Sequence, residues 1–136
     1  MSIVYAREQD LPVEDYVAVV GETSMRDRRP IRNVVRIAEM LAGANLIVTA
    51  REGGVILGLA RCISDGAWIA YCAELAVRES AQGRGIGAGL IARTKELLGP
   101  RIGLTLISEA DAVGFYERIG MERVDRAFFL TRDDRD

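Results

Sequence analysis

Leu75-Ala76-Val77-Arg78-Glu79-Ser80-Ala81-Gln82-Gly83-Arg84-Gly85-Ile86-Gly87-Ala88-Gly89-Leu90 reads as the end of an apolar strand, a short polar link and four alternating glycines at the head of an apolar helical pattern. Glycine costs roughly 1 kcal/mol relative to alanine inside a helix, so four at a helix start need a physical reason. Main chain without Cβ can be approached closely, and a helix N-terminus offers unsatisfied N–H groups and partial positive charge. The expected guest is an anion, above all a phosphate.

Upstream of this stretch, Ile3-Val4-Tyr5-Ala6 is a short strand. Pro12, Glu14 and Asp15 suit the first turn of a helix whose apolar side is Leu11, Tyr16, Val17 and Val20, with Gly21 as its stop. A polar link from Glu22 to Pro30 carries Arg26, Arg28 and Arg29. A second helix has Ile31, Val34, Val35, Ala38 and Leu41 at helical spacing and ends at Gly43. Leu46 to Arg51, Gly53-Gly54 and Val55 to Ile63 predict a hairpin, and Ser64-Asp65-Gly66 turns the chain into a strand from Ala67 to Val77.

Downstream, Ile86, Leu90, Ile91, Leu97 and Leu98 line one side of a helix stopped by Gly99-Pro100. Arg101 to Ile107 is a strand, parallel to its predecessor because a helical crossover joins them. A short helix over 111–119 ends at Gly120, and Met121 to Asp125 and Ala127 to Leu130 are expected to close the sheet before a charged tail. The expectation is a mixed α/β (α+β) fold: one twisted sheet of six to seven strands flanked by helices, in a single domain over residues 1–136.

The composition narrows the function classes. Hydrophobic residues make up 49% of the chain and charged ones 28%, as in a soluble globular protein. A net charge of −2 argues against a dedicated nucleic-acid surface or a membrane-binding patch. No apolar run has the roughly 20 residues of a membrane span, and no basic-then-apolar leader opens the chain, so the expected address is the cytoplasm. Cys62 and Cys72 could sit on neighbouring strands, reduced and buried, and without histidine they make no zinc site. The absence of histidine also removes Ser-His-Asp, Cys-His and histidine-base mechanisms. Acid–base chemistry falls to carboxylate, Tyr, Lys, thiol or water.

Gln82-Gly83-Arg84-Gly85-Ile86-Gly87 resembles the Q/R-x-x-G-x-G/A pyrophosphate loop of the GNAT superfamily of N-acetyltransferases. The resemblance extends upstream to Glu74-Leu75-Ala76-Val77 and downstream to Gly114-Phe115-Tyr116-Glu117-Arg118-Ile119-Gly120-Met121, and covers the first 40 residues loosely. It implies a sheet splayed between its fourth and fifth strands, with acetyl-CoA entering the gap. It also implies that main-chain amides of Gln82, Gly83, Arg84, Gly85, Ile86, Gly87 and Ala88 hold the pyrophosphate. Arg78 and Arg84 either add charge there or are simply solvated. The pantetheine arm of such a cofactor pairs with the strand edge at Leu75, Ala76 and Val77, residues that also read as ordinary core strand.

For the reaction, the resemblance implies attack by a neutral amine on the thioester. Glu74, a lone carboxylate in an apolar strand, is the candidate base, directly or through water, with its pKa raised by partial desolvation; the alternative is a solvent-facing glutamate. An N–H near a bulge in the fourth strand, at Leu75 or Ala76, would hold the oxyanion. Tyr116 matches the family tyrosine that serves the departing thiolate, against the alternative of a core tyrosine. Many members carry Asn where this chain has Glu109, so that cofactor contact is not carried over; Ser108 is the candidate substitute. The 22–30 link and second helix would wall the acceptor, and the arginines there either meet an anionic acceptor or are solvated.

The implied activity is transfer of acetyl to a primary amine of a small molecule, ahead of a protein N-terminus or lysine, by direct attack in a ternary complex, and a homodimer is compatible with the family. One rival is a dinucleotide enzyme, since Gly83, Gly85 and Ala88 satisfy G-x-G-x-x-G/A and Glu109 lies near the expected acidic spacing. Against it, five residues separate Val77 from Gly83 and only 47 follow Gly89. The other rival is an idle GNAT fold that binds acyl-CoA as a sensor or subunit.

Overall fold

Two left-handed glycines, Gly53 (φ 57°) and Gly54 (φ 82°), join strands β2 (Leu46–Glu52) and β3 (Val55–Ser64) as a tight hairpin. At the far end of β3 the Asp65 carboxylate accepts the N–H groups of Ala67, Trp68 and Ile69 at 2.9, 2.8 and 3.1 Å, and the chain returns as β4 (Ile69–Val77). Strand β1 (Ile3–Arg7) pairs antiparallel with β2, while β5 (Gly103–Leu106) pairs parallel with β4. The computed structural model describes residues 2–136, and the sheet it contains has the order β1-β2-β3-β4-β5.

Helix α1 (Val13–Val20) follows Pro12, and Tyr16, Val19 and Val20 sink into one sheet face. Helix α2 (Val34–Gly43) starts later than the apolar spacing predicts. Asn33 accepts the N–H of Arg36 at 3.1 Å and caps the helix there, leaving Ile31 outside it. Both helices pack on Ile47, Ile56, Leu59 and Ala76. On the opposite face α3 (Ile86–Leu98) lays Ile86 and Leu90 against Val48, Ala60, Cys62 and Cys72. The two thiols are free and are register partners across β3 and β4.

Among the described residues the expected six to seven strands are five. Residues 121–125 and 127–130, anticipated as closing strands, form no ladder. Phe128 and Leu130 are each 96% exposed, and β5 remains the edge of the sheet. Helix α4 (Val113–Arg118) is preceded by a 3-10 turn over Ala110–Ala112 and ends before Gly120 at φ 90°. Among the described residues no helix is long and apolar enough to cross a membrane.

One irregularity positions the chemistry. Arg61 pairs with Glu74 and Cys62 with Cys72, so Ala73 is an extra residue in β4. A bulge reverses the alternation of faces. Cys72 therefore packs on the α3 side, whereas Glu74 joins Arg61 on the α1 side.

Candidate active site

Strand β5 stops at Leu106, opposite Cys72, while β4 continues to Val77. Beyond the bulge β4 therefore has no strand partner on that side. The N–H of Arg78 bonds to Leu57 of β3 at 2.8 Å, and backbone groups alternate along a strand, so Ala76 also faces β3. Leu75 and Val77 turn outward. The outward carbonyls are reached by side chains: Gln82 Nε2 donates to Val77 O at 3.2 Å, and Arg29 Nη2 donates to Ala73 O at 2.9 Å. Of the two oxyanion candidates, then, it is Leu75 whose N–H looks into the gap, and Ala76 contributes its N–H to the sheet instead.

The gap opens into a cavity of about 860 Å3 whose walls include Leu75, Ala76, Val77, Gln82, Gly83, Gly85, Ile86 and Gly87. Gly83 and Gly85 have φ of 83° and 79°, and a Cβ built on either meets nothing within 4 Å. They form an open cradle at the N-terminus of α3. The other two glycines serve packing. A Cβ on Gly87 would lie 3.1 Å from the Phe115 ring, and one on Gly89 would lie 2.4 Å from the Tyr5 ring. Arg84 and Ala88 are absent from the cavity wall: Arg84 Nη2 pairs with Glu52 Oε2 at 2.6 Å. Arg78 is likewise committed, its Nε to Glu22 Oε2 at 2.7 Å. Both guanidiniums are thus paired within the chain, and the positive charge presented at the cradle is that of the helix end.

Glu74 departs from expectation. Its side chain is fully buried; Arg61 Nε and Nη2 donate to its two oxygens at 2.5 Å each, and Arg29 Nε donates to Oε2 at 3.0 Å. Burial pushes its pKa up, but the two guanidiniums outweigh burial and the net shift is downward. The expected upward shift is therefore overturned, and so is the alternative of a solvent-facing glutamate. Sequence reasoning missed Arg61; Arg29, expected either to meet an anionic acceptor or to be solvated, is instead turned inward onto Glu74 and the Ala73 carbonyl.

Tyr116, on α4, lines both the large cavity and a small chamber formed with Met25, Arg29, Cys72 and Glu109. Burial, with Cys72 and Glu109 nearby adding to it, pushes its pKa up to about 12. At neutral pH its hydroxyl is therefore a hydrogen-bond donor. Phe115 stands edge-on to its ring, centroids 5.0 Å apart, and itself rests on Gly87. Glu109 reaches across the mouth to Arg28 Nη2 at 2.5 Å. Ser108 gives its hydroxyl to the Glu109 carbonyl at 2.7 Å and does not line either space.

A family model described as an acetyltransferase (GNAT) domain matches residues 19–130. The chain belongs to the GNAT acetyltransferase family. A candidate acetyltransferase of Deinococcus radiodurans R1 shares 26% identity and superposes with a TM-score of 0.76, covering 96% of this chain and 88% of that one. A GNAT-family acetyltransferase of Streptococcus pneumoniae TIGR4 gives 20% identity and a TM-score of 0.73 over 99% and 100% of the two chains. The aminoglycoside N-acetyltransferase AAC(6')-Iy in complex with CoA gives 16% and 0.72 over 98% and 96%. Four of the five strands of this GNAT chain are joined antiparallel in sequence, which removes the dinucleotide-enzyme reading with its run of parallel βα units.

GNAT acetyltransferases use acetyl-CoA, and the residues present fit it. The open cradle at Gly83 and Gly85 suits the pyrophosphate, and the outward main chain of Leu75 and Val77 suits an amide-bearing arm. Glu22, named in the sequence only as the start of the 22–30 link, has a more specific place. It lines the cavity, holds Arg78, and accepts from the Ser80 N–H at 3.5 Å and the Ser80 hydroxyl at 3.4 Å, tying the end of α1 to the loop.

Proposed function

We propose that this chain is a cytoplasmic N-acetyltransferase, a single domain over residues 1–136, that moves acetyl from acetyl-CoA to a primary amine of a small molecule within a ternary complex. The observation that carries this reading is the outward N–H of Leu75 on a strand edge left open between the glycine cradle and the Tyr116 hydroxyl. Bound acetyl-CoA supplies an activated acyl group as a thioester. The main-chain N–H groups from Gln82 to Gly87 hold its anionic end, and Leu75 and Val77 pair with the arm as an added strand. The Leu75 N–H stabilises negative charge developing on the carbonyl oxygen. The Tyr116 hydroxyl donates to the departing sulfur. Glu74 enters as a positioning residue: it fixes Arg29, whose Nη2 in turn holds the Ala73 carbonyl and thereby the bulge that aims Leu75.

Free thiol released from acetyl-CoA, followed against pooled polyamines, amino acids, aminoglycosides and short peptides, tests the reading. Turnover with one pool is expected, and Tyr116→Phe is expected to lose about 100-fold or more of kcat, the low end of proton-transfer contributions. Silence with every pool while acetyl-CoA still raises the melting temperature would select the sensor reading instead. The same proposal includes a homodimer, supported by the exposed apolar segment at Phe128, Phe129 and Leu130.

A further inference from the structure

The small chamber where the open strand edge meets α4 contains two carboxylates, Glu74 and Glu109. They differ in what remains available on each. Both oxygens of Glu74 are occupied by guanidinium donors and its side chain has no exposed surface. Glu109 uses only Oε2, for Arg28, and its side chain is 33% exposed, so Oε1 is open. It also borders the 860 Å3 cavity, placing one carboxylate at the junction of both spaces, beside Tyr116.

An alkylamine acceptor needs such a group. With a pKa near 10 for a lysine-like amine, about one molecule in 10³ is neutral at pH 7. The chain has no histidine. Tyr116 is protonated, and the Cys72 thiol, pushed up by its hydrogen bond with Cys62 and by burial, is protonated too.

We propose that Glu109 receives the acceptor's ammonium group and takes its proton, which makes this cleft specific for an amine that arrives charged. The inference rests on the N-acetyltransferase reading above. The groups facing Glu109 are Arg28 and Arg29 from the link after α1, Glu74 and Cys72 from β4, and Tyr116 from α4; Asp111 follows in its own loop and Arg118 stands on the same cavity wall. Arg28 pairs with Oε2 only, and Oε1 is the oxygen open to the acceptor whether or not that bridge is present. One proton passes from the ammonium to Oε1. The freed nitrogen then forms its bond to the acyl carbon as the carbon–sulfur bond breaks, its surplus proton ends on sulfur by way of the Tyr116 hydroxyl, and Glu109 returns its proton to water. The amide, the free thiol and one proton are the products.

The test compares pH profiles of kcat/KM for the parent, Glu109→Gln and Arg28→Met, with acetyl-CoA and whichever pooled amine the parent turns over. The parent is expected to plateau through neutral pH. Glu109→Gln is expected to fall about 100-fold or more at pH 7. It should then rise tenfold per pH unit toward the amine's own pKa near 10, because only the free amine now reacts. Arg28→Met is expected to keep the plateau, and CoA affinity by calorimetry is expected to be the same in Glu109→Gln as in the parent. A Glu109→Gln profile parallel to the parent's overturns the proposal while leaving acetyl transfer standing. An equal loss of plateau in Arg28→Met also overturns it, since the bridge and not the open oxygen would then matter. A parent that acetylates no amine overturns this inference and the N-acetyltransferase reading together.

Discussion

Replacing Glu74 by Gln keeps the side-chain shape and removes the charge that two arginines were placed to meet. Arg61 is then a buried guanidinium without its counter-ion, and breaking a buried pair from one side costs about 3–5 kcal/mol. Urea unfolding of Glu74→Gln at pH 7 should show a loss of that order. The pH dependence has a definite sign. The folded pKa of Glu74 is depressed, so its stabilisation is complete above the unfolded carboxylate value of about 4.3 and is lost as pH falls through the lower folded value. The gap between parent and variant should therefore narrow on acidification from about pH 5 to about pH 3. A gap constant across that range would mean that the carboxylate is not held charged by its arginines. Glu74 stood out in the sequence as a lone acid in an apolar strand, and Arg61 is equally alone between Ala60 and Cys62. What joins them is a register with an extra residue at Ala73, and no periodicity reveals an inserted residue. The same lone acid could thus be noticed and yet be given the wrong pKa direction.

At the level of elements, the four glycines divide where α3 begins. Gly83 and Gly85 precede the helix and have left-handed φ, while Gly87 and Gly89 lie inside it against aromatic rings. Gly85→Ala meets no neighbouring atom, but it pays the left-handed cost of roughly 1–2 kcal/mol and puts a methyl into the cradle. Calorimetry should show weakened acetyl-CoA binding. Gly89→Ala drives a methyl onto the Tyr5 ring, and such overpacking costs about 1–3 kcal/mol. Its melting temperature should fall while acetyl-CoA affinity holds, and Tyr5→Leu in the same chain should recover part of the loss through their coupling. Equal affinity losses in Gly85→Ala and Gly89→Ala would contradict this division. The strand-loop-helix stretch was legible because glycine alternation and hydrophobic period are local properties. Which glycines face a ligand was not, since Tyr5 and Phe115 reach α3 from the first strand and the last helix. Helix α2 shows the reverse case: the apolar spacing ran back to Ile31, but the Asn33 cap set the start.

For the whole molecule, the unmet expectation of two further strands has a structural counterpart. Val124, Phe129 and especially Phe128 and Leu130 are exposed, and the four-residue β5 leaves its outer edge unpaired. Ile63 and Tyr71 are register partners on one sheet face, with Ile69 two residues along, and all three are exposed as well. An exposed apolar segment and an uncovered apolar sheet face on one chain are complementary surfaces, and a two-fold pair of chains could cover both at once, each lending its segment to the other. In such a pair, the strand-like pattern at Ala127 to Leu130 would find its pairing partner on the second chain. Sedimentation velocity should give a species of twice the 14.9 kDa chain mass. Phe128→Asp combined with Leu130→Asp should return it to a monomer, with far-ultraviolet circular dichroism preserved because neither side chain packs in the described core. A parent that sediments as a monomer at all accessible concentrations would remove the homodimer from the proposed function. It would leave the cleft untouched, because every group assigned to chemistry stands on elements of a single chain.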